Sequence, residues 1–130
     1  MVADGLVRTA SVLGPRETMD RLQKAIEDKG LTVFARIDHA EGARAAGFSL
    51  RPTELIIFGN AKGGTPLMQA GQESGIDLPL KALVYQDAEG RVWLAYNDPH
   101  WLAGRHHLPD LPNIAMLAKL LETLAAGATS

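Results

Sequence analysis

The sequence predicts an α+β fold of order β-α-β(4)-α: an antiparallel sheet with two long helices on one face. Three observations carry that expectation. Apolar residues recur at helical spacing in two well-separated stretches, Met19/Leu22/Ile26 and Ile114/Leu117/Leu121/Leu124. Short runs rich in Val, Ile, Thr and Leu lie between them. Two of those runs sit in "LVYQDAEGRVWLAY", where the turn Asp87 to Gly90 folds one strand back on the other.

Each element has a local cause. Leu6 to Leu13 reads as a first strand, stopped by Gly14-Pro15. Gly14 is a tolerable N-cap, Pro15 suits the first helical position, and Glu17 favours the positive end of the helix that follows. Gly30 is the residue just past its end. Thr32 to Asp38 alternates as a strand, with Val33, Ala35 and Ile37 on one face. "HAEGARAAG", interrupted by Gly42 and Gly47, supports one or two helical turns. After Pro52 a nearly continuous apolar strand runs from Thr53 to Phe58. "GNAKGG" reads as loop, and Thr65-Pro66 as the cap and first residue of a short helix through Ala70. The hairpin strands are Ala82 to Gln86 and Arg91 to Tyr96, with Gly90 left-handed in a type I turn with a bulge. Beyond Pro99 the chain is irregular or briefly helical, and a last helix spans Asn113 to Ala125, closed by Gly127.

The 130 residues make one domain, with no repeat, linker or low-complexity segment. With no cysteine, disulfides, thiolate metal sites and cysteine nucleophiles are excluded. The formal charge of −2, with acids and bases interspersed, gives no electrostatic footprint for nucleic acid or an anionic membrane. No apolar run is long enough to span a bilayer, and the first residues lack the basic and apolar regions of a signal peptide. A cytoplasmic domain is the expectation.

Several phrases recur together in a known bacterial and archaeal family: "IDHA", "LRPTELIIFGN", "GTPLM", "DLPLKALV" and "YNDP". Through them the stretch from Asp20 to His106 resembles the domain-of-unknown-function family numbered 302, with a family-like core over 6–126. That resemblance implies a TATA-box-binding-protein-like topology and a homodimer, and no established reaction. The topology does not imply DNA binding, because fold does not determine function. Two positions depart from the related pattern: Ala61 stands where "FGNP" has proline, and His107 where "RHGL" has glycine.

Candidate chemistry gathers in three places. His39 follows a strand and could serve as ligand or general base, with Asp38 as its orienter or as a helix cap. Lys62 with Gly63 and Gly64 precedes a helix start that could cradle an anion, although the P-loop spacing is absent. "YNDPHWLAGRHHLPD" holds three of the four histidines; there Asp98, Pro99 and Trp101 read as turn and anchor, and Arg105 and His106 as pocket residues. His39 and His106, both following strands, could share a divalent metal if those strand ends converge. The leading expectation is a homodimeric binding module for a small anionic ligand or a metal ion. The alternatives are an enzyme using His39 or His106 as acid or base with Asp38 or Asp98 as orienter, and a structural subunit without a small-molecule site.

Overall fold

In the computed structural model, which describes residues 2–130, five strands pair antiparallel in the order β1-β5-β4-β3-β2. They are β1 (Leu6–Ser11), β2 (Thr32–Asp38), β3 (Thr53–Gly59), β4 (Leu80–Gln86) and β5 (Val92–Asn97). The helices are α1 (Pro15–Asp28), α2 (His39–Ala45), α3 (Ala61–Ala70), α4 (Pro99–Arg105) and α5 (Pro112–Thr129), and a 3-10 segment covers Gln72–Asp77. Without the short insertions the order is β-α-β(4)-α, as the resemblance implies.

The two amphipathic stripes cover one sheet face. Met19, Leu22 and Ile26 of α1 and Leu117, Leu121 and Leu124 of α5 are buried against Ile56, Phe58, Val84 and Leu94 of the three central strands. Alternation puts Ile37, Leu55, Ile57, Leu83, Tyr85 and Trp93 on the opposite face, where they are only partly covered. At the β2 edge Arg36 lies on the helix face, its guanidinium donating to Glu54 at 2.7 and 3.0 Å and meeting Asp20 at 2.8 Å. Those carboxylates hold its proton more firmly, against the opposing effect of burial.

Several boundaries differ from the sequence expectation, each for a physical reason. Strand β1 stops at Ser11, whose hydroxyl accepts from the Leu13 amide at 3.1 Å and turns the chain. Helix α3 begins at Ala61, not Pro66, because the Asn60 side chain rather than Thr65 caps it, accepting from Gly63 N at 2.8 Å. Pro66 then sits inside the helix and withholds the amide that would bond to Lys62; the Asn113 side chain donates to that carbonyl instead, at 3.3 Å. Helix α5 runs past Gly127, since Ala128 and Thr129 are buried and the Thr129 carbonyl accepts from Val12 N at 3.0 Å. The hairpin turn is as expected, with Gly90 at φ 84° and Gly90 N bonded to Asp87 O at 3.0 Å.

Candidate functional site

The end of the sheet where β5 stops and β4 starts carries a polar cluster. Asp98 caps α4 by accepting from His100 N at 2.9 Å, and the fully buried Pro99 occupies the first helical position. Trp101 packs its ring over Gly5, whose carbonyl accepts from Asp98 N at 2.8 Å. These three residues thus build the turn and the anchor, and the α4 they start delivers Arg105 and His106 to the 3-10 segment.

There both meet Asp77. Its carboxylate lies 2.5 Å from His106 Nε2 and accepts from Arg105 Nη1 at 2.9 and 2.8 Å. The Asp77 and His106 side chains are 14% and 12% exposed, so the contact is largely shielded from water, whereas Arg105 is half exposed. Burial alone would raise the Asp77 carboxyl, but the His106 bond and the Arg105 and His106 charges outweigh it and hold it below its ordinary value. Lys81 donates to the carbonyls of Asp77 at 3.3 Å and Pro79 at 3.1 Å, and burial lowers its ammonium against the pull of the Asp77 charge.

A cleft of about 470 Å³ opens beside this cluster, lined by Gly71, Ser74, Arg105, His106 and His107, with the exposed Glu73 on its wall. Ser74 is fully buried and its Oγ has no hydrogen-bond partner among the described residues. Both Arg105 bonds to Asp77 use Nη1, so Nη2 and Nε make no bond among the described residues. The cleft offers a guanidinium fork and an imidazole to an acceptor, and the buried, unpartnered Ser74 belongs to its lining.

His107 takes the left-handed conformation, φ 52°, just past α4. Its amide bonds to Gly104 O at 3.2 Å and the Leu108 amide to Ala103 O at 2.9 Å, the same closing pair that Gly30 and Leu31 make after α1. That accounts for glycine at this position in the related pattern. His107→Gly should therefore stabilise the fold by about 0.5–1 kcal/mol in urea unfolding. A lower midpoint would show that the imidazole contributes more than the backbone strain costs.

The other candidates lie elsewhere. Asp38 caps α2, accepting from Glu41 N at 2.9 Å, and His39 is exposed at the first position of that helix. Strands β2, β3, β4 and β5 each reverse direction, so the end of β2 and the end of β5 fall at opposite ends of the sheet. A strand of this length spans about 20 Å, so His39 and His106 of one chain cannot share an ion. Among the described residues no group of three or more His, Asp or Glu side chains could hold a metal ion. Asp98 is spent on the α4 cap, so the carboxylate that holds His106 is Asp77. Lys62 is exposed in the first turn of α3, away from this cluster in a second cavity. Asp77 and Ser74 are the site residues that sequence reasoning missed. The partners of Asp77 lie 28 and 29 positions further along the chain, and no local spacing marks that contact.

Comparison with known proteins gives three results. A family model described as "Domain of unknown function DUF302" matches residues 7–126. Two relatives called "Fluoride-specific ion channel FluC 1", from Brucella suis biovar 1 (strain 1330) and Brucella abortus biovar 1 (strain 9-941), are each 45% identical over 123 residues. The match covers 95% of this chain but 48% and 46% of theirs, so the chain spans about half their length. No described helix is long and apolar enough to cross a membrane. A solved structure of an uncharacterized conserved DUF302 protein from Bacillus stearothermophilus superposes with a TM-score of 0.76 at 21% identity, covering 98% of this chain and 97% of that one. At that identity the likeness shows the fold.

Proposed function

This chain belongs to the DUF302 family, and on that footing we propose that it is a homodimeric module binding a small inorganic anion in the cleft between the 3-10 segment and the end of α4. The observation that carries the reading is Ser74. A hydroxyl buried without a partner costs about 1–3 kcal/mol, and an acceptor held in the cleft would remove that cost. Arg105 supplies the charge through Nη2 and Nε, while Asp77 holds Arg105 and His106 in place. The half-covered sheet face, with Ile57, Tyr85 and Trp93 on it, is where a second copy would pack. Fluoride is the first anion to try, because relatives that match this chain over about half their length are named for it; in such a protein this domain would serve as an anion-binding accessory to the channel.

The test joins native mass spectrometry of the purified protein with calorimetric titration of fluoride, chloride and phosphate. A mass of two chains is expected, together with saturable binding of at least one anion. Arg105→Gln and Ser74→Ala should each weaken that binding about tenfold, the loss of one charge-assisted or buried hydrogen bond. Ser74→Ala should leave the stability of the ligand-free protein unchanged or raised, since it removes an unpaired hydroxyl. No saturation by any of the three anions, or equal affinity in both variants and the parent, would overturn the proposal. A single-chain mass would overturn the dimer.

A further inference from the structure

A second cavity, of about 470 Å³, lies between α3, α5 and the edge of β2, and its chemistry is unlike that of the cleft above. We infer that it is a binding site for a medium-chain monocarboxylate, with the alkyl chain inside and the carboxylate at Lys62. The inference stands on different residues from the anion proposal and goes beyond it.

The volume lies within the range of about 300–1,000 Å³ typical of small-molecule sites. The walls are apolar: Leu31, Phe34, Met68, Met116 and Leu120 contribute, and Lys62 is the one charged side chain among the lining residues. Phe34 and Met116 are 56% and 58% exposed, large apolar groups held in water on either side of an apolar hollow. Phe34 owes its place to a β-bulge between Val33 and Ala35, which inserts it into β2 as an extra residue with no partner in the register with β3. The two methionines are flexible and polarizable, suited to a chain without a rigid shape.

Gly64 supplies an independent sign. Glycine inside a helix is unfavourable, so each one calls for a reason. Gly63 has one, since an added Cβ would lie 3.2 Å from Leu117 and 3.3 Å from the Asn60 oxygen. At Gly64 an added Cβ would make only ordinary contacts, 3.7 Å to Leu78 and 4.0 Å to Met68. Packing therefore does not demand glycine there, and its effect is to leave the cavity wall bare. Among the lining residues, Ala61 and Lys62 open α3 with amides that lack intrahelical partners, and the helix dipole there favours a negative charge, as does the Lys62 ammonium. One cation among otherwise uncharged lining residues matches an amphiphile with one negative charge.

The experiment follows the fluorescence of dansylaminoundecanoate added to the purified protein, with dodecanoate and dodecanol as competitors. Saturable binding displaced by dodecanoate is expected. Met116→Glu, at an exposed position, should weaken dodecanoate at least tenfold by setting a carboxylate in the cavity mouth. Lys62→Glu should weaken dodecanoate about tenfold and leave dodecanol unchanged. Should Met116→Glu unfold less cooperatively than the parent, Lys62→Glu alone decides. Absence of saturable binding overturns the inference, as does equal dodecanoate affinity in Lys62→Glu and the parent. If Met116→Glu alters the sedimentation mass and not the ligand affinity, the cavity is a contact between copies and the inference falls. Loss of fluoride or chloride binding in Arg105→Gln leaves this test untouched, so the two sites fail separately.

Discussion

Gly5→Ala is expected to destabilise the protein by about 2–4 kcal/mol, one of the largest effects of any single methyl group in this fold. Gly5 has φ 77°, a left-handed backbone that costs other L-residues about 1–2 kcal/mol. The larger part is steric. An added Cβ would lie 2.2 and 2.3 Å from ring carbons of Trp101, so the indole must leave its seat on the chain. With it would go the packing of Trp101 against the core and the bond from Asp98 N to Gly5 O, which ties the α4 cap to the start of β1. Urea unfolding of Gly5→Ala, Trp101→Ala and the double variant separates the contributions. Once the ring is gone the added methyl should cost only the backbone strain, so the two effects should be strongly non-additive. A Gly5→Ala midpoint within about 1 kcal/mol of the parent would mean that the first residues detach rather than displace the ring.

Where local physics decides, the fold is legible in the sequence. Gly14-Pro15 and Gly30 delimit α1, and Gly90 sets the hairpin, because proline fixes the backbone of the first helical residue while Gly30 and Gly90 take the left-handed backbone that other residue types resist. Helix α3 shows the opposite case. Thr65-Pro66 has the form of a helix start, yet the Asn60 cap and the bond from Asn113 carry the helix through the proline, and Asn113 is 51 positions away from its acceptor. The end of α5 likewise depends on a distant partner, Val12 just past β1, rather than on Gly127. In the site, Arg105 and His106 are legible as a pair, but what they pair with is not, since Asp77 reads locally as the lead into a strand. The separation of His39 from His106 follows from strand parity alone. With three reversals between β2 and β5 their trailing loops must leave opposite ends of the sheet, whatever the side chains on them.

Asp77→Asn should destabilise the protein by about 1.5–3 kcal/mol near neutral pH, the range for hydrogen bonds to a charged group, and the difference should vanish in acid. The Asp77 carboxyl is held below its ordinary value by the His106 bond and the charges of Arg105 and His106, against the opposing effect of burial. A carboxylate whose folded pKa is depressed binds its proton more readily in the unfolded chain. Its stabilisation is therefore present in full above the unfolded value, near 3.9, and is lost as the pH falls through the lower folded value. The asparagine variant keeps the shape and one acceptor oxygen but has no charge to lose. Parent and variant unfolding free energies, measured from pH 7 down to pH 2.5, should accordingly converge below about pH 4. A difference that stays constant over that range would assign the loss to packing around the side chain, and the Asp77 charge would then not be what holds Arg105 and His106 at the cleft.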